Sequence, residues 1–258
     1  MSQLSRYIKS GIISILAMVV AFSMSPGTVT AMTRDTATTP KESAFCTNLA
    51  ANISKIDTNL ANLKSKLVAS RTTRDQTIAN DHAKWDQQLK DNRMKWDQQR
   101  QDNFTKLEAR AKTSAQTTAV KTYETAIISA VNTRRSANDT ARAAYRGAVG
   151  NALTTQRATI DGQVATFSAS VSSAEATAQA NCQATPSNGP AIRIAFQASL
   201  KSARETFAAS HKSDSNVASQ IKQFATTRDA SFKTNNATFE TAAHSARDAL
   251  KAAFGNNA

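Results

Sequence analysis

Apolar residues return every three or four positions from residue 46 onward. Cys46, Leu49, Ile53, Ile56, Leu60, Leu63 and Leu67 form a heptad-like seam along one helical face. The period then lengthens. KWDQQLKDNRM over 84–94 is followed at once by KWDQQRQDNFT over 95–105, and Asp75, Asp86 and Asp97 fall in phase with that step of eleven. Eleven residues make three turns at about 3.67 residues each, so equivalent positions return to one face. The seam through this stretch reads Ile78, His82, Trp85, Leu89, Arg93, Trp96, Arg100, Phe104 and Leu107, apolar with polar layers.

A second seam runs from Val120, Tyr123, Ile127 and Val131 through Arg134, Asn138, Arg142 and Tyr145. It continues to Val149, Ile160, Val171 and Cys182, spaced by eleven. It passes straight through Gly147 and Gly150, which therefore read as close-packing positions inside a continuous helix. The two seams are out of phase by one position, and the slip falls in TSAQTT, 113–118. That stretch is the expected hairpin tip, although it holds no Gly or Pro. Pro186-Ser187-Asn188-Gly189-Pro190 is a plain break, with Pro190 suited to a helix start. Ile192, Phe196, Leu200, Phe207, Val217, Ile221, Phe224, Phe232, Phe239, Leu250 and Phe254 then mark a third long helix over 191–258.

The two cysteines bear on the pairing of these segments. Cys46 and Cys182 have their midpoint at residue 114, inside the expected tip. A turn there brings them together, as a disulfide requires. It also sets Phe104 and Leu107 against Val120 and Tyr123, Trp85 against Ala143 and Ala144, and Leu60 against Phe167. The expected fold is all-α, an elongated antiparallel three-helix coiled-coil rod with hendecad and heptad seams. Each helix would be about 100 Å long. The alternative is one very long helix over about 43–146 in an oligomeric coiled coil, with a turn at 147–150. The expected organisation is 43–183 as the hairpin, 184–190 as the turn and 191–258 as the third helix.

Composition supports helix: no proline occurs between Pro40 and Pro186, and aromatics make up 6% of the chain. The first thirty-one residues read differently. Arg6 and Lys9 precede an apolar run from Gly11 to Phe22, then Pro26-Gly27, then Val29-Thr30-Ala31. That is the layout of a secretory signal peptide, bacterial in style, followed by a flexible linker over 32–42. The expected location is extracytoplasmic: periplasm, cell surface or secreted. Membrane attachment is expected only if the signal segment stays uncleaved. Removing it lowers the net charge from +13 to +11, which favours anionic partners.

Trp85 and Trp96 are expected to pack in the seam. The other reading makes them partner-contact aromatics, two platforms about 16 Å apart for a protein, sugar or base. Asp86, Asp91 and Asp97 with Lys90, Arg93 and Lys95 are expected to form a solvated face with pairs along the helix. No catalytic, cofactor or metal residues are assigned. His82, His211 and His244 are scattered, and no HExxH, CxxC, G-x-S-x-G or phosphate-cradling loop occurs among seven glycines. Four N-x-S/T sequences begin at Asn52, Asn103, Asn138 and Asn236, each in expected helix.

The expected function is therefore a non-catalytic structural or interaction protein of the cell envelope or extracellular space. Its partner would be an envelope protein or an anionic polymer. A basic binder of nucleic acid or wall polysaccharide is the second expectation. The third is a periplasmic holdase, since basic helical chaperones are similar in export, charge and helix content, with no shared motif.

Overall fold

The computed structural model describes residues 43–213 and 217–255, and nothing of the side chains at 212 and 213. The expected signal peptide, the linker and residues 214–216 lie outside the described residues. What is described is all-α: α1 (Ala44–Arg110), α2 (Ser114–Ala184), α3 (Gly189–Ser213) and α4 (Val217–Phe254). No strand occurs among the described residues. The segment expected as a third long helix is described as α3 and α4, with 214–216 between them outside the described residues.

The chain leaves the helix at 111–113, before most of the expected tip. The turn needs no Gly or Pro because Thr113-Ser114-Ala115-Gln116 caps α2. The Gln116 amide N–H donates to Thr113 Oγ1 at 3.2 Å, and the Lys112 N–H donates to Gln116 Oε1 at 2.8 Å. Two helix-end donors are satisfied reciprocally, a near-variant of the capping box. α2 is continuous to Ala184, so there is no turn at 147–150, and α1 does not run on to 146.

Two units are distinguished. One is drawn from Met1–Gln76 and Thr154–Ala218, the other from Thr77–Leu153 and Ser219–Ala258. The first unit has a core of Cys46, Leu49 and Ile56 from α1, Phe167, Val171, Ala174 and Ala178 from α2, and Ile192, Phe196, Leu200, Ala203 and Phe207 from α3. Leu60 packs at its edge, as the seam predicts. Ring pairs Phe45–Phe196 and Phe167–Phe207 join the helices at centroid distances of 6.3 and 5.4 Å. In this core, Cys46 and Cys182 form a disulfide with Cα atoms 5.5 Å apart. Ser43 caps α1 by accepting from the Cys46 N–H, and its own N–H donates to the Pro186 carbonyl at 2.9 Å. Gly189 is required there, since a Cβ would overlap the Ser43 side chain.

The second unit is built from α1, α2 and α4. Phe104, Ile127 and Val131 are buried, with Leu107, Tyr123, Phe239, Ala243 and Ala246 against them. Phe104 meets Tyr123 edge-on at 6.1 Å. Elsewhere its interior is aromatic and cationic. The Arg134 guanidinium lies 3.9 Å from the Phe239 ring centre, Arg228 lies 4.6 Å from that of Tyr145, and Arg142 lies 5.9 Å from that of Phe232. Such contacts let arginine stems replace aliphatic core.

Gly147 and Gly150 are not close-packing positions. Both are exposed, and a Cβ at either would meet nothing within 4 Å. Helix-interior glycine without a packing role only loses backbone entropy on folding. Gly147→Ala and Gly150→Ala are each expected to raise stability by about 0.5–1 kcal/mol. A shift of the urea midpoint upward at constant m-value is the measurement.

Candidate functional site

The eleven-residue repeat divides into parts with different work. Asp91 and Asp102 pair along their own helix, as the spacing suggested, but Asp86 and Asp97, half-exposed as they are, do not stop there. They cross to α2. Asp86 accepts two bonds from Arg146 at 2.8 and 2.7 Å, and Asp97 accepts two from Arg135 at 2.9 and 2.6 Å. Asp75, in the first unit, accepts from Arg157. The partners Arg157, Arg146 and Arg135 step by eleven in the opposite sense, as an antiparallel pair demands. Two rungs of reversed polarity share that register: Arg71 to Asp161 at 2.8 Å, and Arg93 to Asp139 at 2.9 and 2.7 Å.

The arginines hold the acids ionised. Hydrogen bonds from Arg135 and then Arg100 pull the Asp97 carboxyl down to about 2, and those from Arg146 and Arg93 lower Asp86 and Asp139. Bidentate guanidinium–carboxylate pairing fixes rotation and register together.

Glu175 is the opposite case. It sits in the first unit's core at 6% exposure, with Oε1 lacking a hydrogen-bond partner. Burial, with Asp57 nearby, raises its carboxyl from 4.5 to about 7. A raised acid favours the folded state in its protonated form. The contribution is therefore full below pH 4.5, declines as pH rises, and is gone above about 7. Asp97 works the other way: its contribution is present above 3.8 and lost as pH falls through about 2. Taken alone, these two groups place maximal stability near pH 4–5, while His82, lowered by burial and then by Arg146, opposes part of the alkaline decline. Glu175→Gln should flatten the alkaline decline and leave the acid limb unchanged. Urea midpoints measured across pH 2–8 test this, and a Glu175→Gln curve parallel to wild type from pH 4.5 to 7 would refute it.

The tryptophans are where the sequence reading needs correction. Trp85 is 57% exposed and Trp96 is 54% exposed, so neither is a core residue. Ala143 and Ala144, expected against Trp85, are exposed too. The aspartate rungs rotate α1 so that each Trp, one residue earlier, lies at the flank of the buried face. Arg142 approaches the Trp85 ring at 5.7 Å.

The second glutamine-acid element of each repeat is also internal. Gln87 donates to Asp91 at 2.9 Å, and Gln98 donates to Asp102 at 2.8 Å. What remains of each copy is Trp85, Gln88 and Asn92, then Trp96, Gln99 and Asn103. All six are exposed, and none of the four amides bonds within the described chain. Successive steps of three, four and four keep them on one stripe of α1. The Gln and Asn members were visible as part of the repeat, but only the pairing of Asp86, Gln87 and Asp91 separates them from its structural part.

Other features offer less. The first unit holds a cavity of about 10 Å³ beside Leu60, Phe167, Leu200 and Arg204, room for about one water. No group of three or more His, Cys, Asp or Glu able to hold a metal occurs among the described residues. No described helix is long and apolar enough to cross a membrane. No family model, curated protein or solved structure matches this chain.

Proposed function

We propose that the protein is an exported, non-catalytic structural or interaction protein of the cell envelope or extracellular space. In this reading it is an antiparallel three-helix coiled-coil rod, stapled near one end by Cys46–Cys182. The observation that carries it is the ladder. Asp75 in one unit, and Asp86 and Asp97 in the other, pair α1 with arginines of α2 at steps of eleven. A repeat devoted to helix register suits a protein whose length is its function. The disulfide accords with an oxidising compartment.

The test is small-angle scattering on protein recovered from the extracytoplasmic fraction, with its N-terminus mapped by mass spectrometry. A rod about 100 Å long has a radius of gyration near 30 Å, against about 17 Å for a globule of this size. A chain beginning near Met32 with the larger radius supports the reading. A radius near that of a globule, or a chain retained in the cytoplasm with Met1 intact, overturns it.

A further inference from the structure

Each copy of the eleven-residue repeat leaves a Trp, a Gln and an Asn exposed and unbonded on one stripe of α1. We propose that this stripe binds an acidic polysaccharide strand, with Trp85 and Trp96 stacking on sugar rings and the amides of Gln88, Asn92, Gln99 and Asn103 bonding hydroxyls. Lys84 and Lys95 would meet its carboxylate or sulfate groups. The inference goes beyond the spacer reading and does not depend on it.

Three observations carry it. The first is duplication: the two indoles lie about 16 Å apart along α1 and about 20° apart around it, as two equivalent subsites for a polymer must. The second is chemistry. The stripe itself is uncharged, and carboxamides both donate and accept, which suits hydroxyl groups. Indole offers a broad apolar face beside a polar edge.

The third is charge complementarity. Lys84 and Lys95 are exposed, flank the stripe at the same spacing, and make no ion pair among the described residues. Of the neighbouring acids, Asp86 and Asp97 are held by arginines, while Asp91 and Asp102 accept from neutral glutamines and keep their charge. Each repeat thus sets one ammonium group without an ion-pair partner beside the stripe. A single nucleic-acid strand carries several phosphates over that span, and its recognition calls for more cations than this. A second copy of the chain is disfavoured by a net charge of +13, which sets like surfaces against each other.

Trp85 and Trp96 are the only two tryptophans, so indole fluorescence reads the stripe directly. The experiment titrates the full exported chain with a polyuronate and with a sulfated glycan, and compares dextran and oligodeoxythymidylate. Saturable quenching or a blue shift is expected with at least one of the acidic glycans, at least about tenfold tighter than with dextran. Trp85→Ala with Trp96→Ala, read by affinity electrophoresis, should weaken binding at least about tenfold, and Gln88→Ala with Gln99→Ala should weaken it with folding unchanged. Lys84→Gln with Lys95→Gln should reduce the salt dependence of binding. All these positions are exposed, so circular dichroism should show unchanged helix content. No saturable signal with either acidic glycan overturns the proposal. So does binding that survives loss of both indoles, or tighter binding of oligodeoxythymidylate.

Discussion

Cys46→Ser combined with Cys182→Ser is expected to lower the melting temperature by about 10 °C. The bond joins residues 136 apart in sequence. Closing a loop of that size removes about 5 kcal/mol of chain entropy from the unfolded state in the simplest treatment. Residual helix in the denatured chain already restricts it, which trims the figure to about 4 kcal/mol. At 2–4 °C per kcal/mol for a chain of this length, the shift follows. Cys46 also packs in the first unit's core with Leu49 and Ile56, so serine there places a hydroxyl among apolar neighbours. Helix signal followed through thermal unfolding, with and without reductant, makes the measurement. Reduced wild type should melt near the double variant. A shift under about 2 °C, or alkylatable thiols in the native protein, would dispose of the staple.

That bond was legible in the sequence, because two cysteines with a phase slip at their midpoint meet when the chain turns back at that slip. The helices were legible for the same kind of reason: long apolar periodicity uninterrupted between Pro40 and Pro186. The turn was harder. Gly and Pro are the usual punctuation, and their absence hid a cap made by Thr113 and Gln116. The signature T-x-x-Q stands in the sequence and would have placed the helix start at Ser114.

Trp85 and Trp96 were misread because periodicity counts a large indole as a core residue. A seam of period near 3.67 can be rotated by one residue and still look continuous. What decides the rotation is the other helix. Only Arg135, Arg146 and Arg157, matched in reverse against Asp97, Asp86 and Asp75, say that the aspartate faces α2 and the indole does not. The complementary spacing was present in the sequence, but it becomes visible once the hairpin is folded about 111–113. The same logic explains Gly147 and Gly150, whose place on α2 faces away from every neighbour.

Asp97→Arg should therefore cost far more than an ordinary surface charge change, about 2 kcal/mol. Asp97 accepts from both Arg135 and Arg100, and Arg93 lies close enough to feel its charge. A guanidinium in its place would join three others and leave Arg135 and Arg100 without their acceptor, since Asp139 is held by Arg93 and Arg142. Water still reaches the carboxylate, whose side chain is 42% exposed, and this keeps the cost below that of breaking a fully buried pair. Combining Asp97→Arg with Arg135→Asp restores opposite charges across the rung and should recover about 1 kcal/mol. Asp91→Arg is the control. Its carboxylate accepts from Gln87 on the same helix, so its loss should cost under about 0.5 kcal/mol. Urea midpoints of the four proteins give the comparison. If Asp97→Arg and Asp91→Arg cost the same, or if Arg135→Asp recovers nothing, the aspartates of the repeat are surface charges after all. The ladder would then explain neither the register of α1 on α2 nor why the repeat steps by eleven. If the predicted inequality holds, the repeat sets the register through its aspartates, and its exposed tryptophans are left without a structural reason to be there.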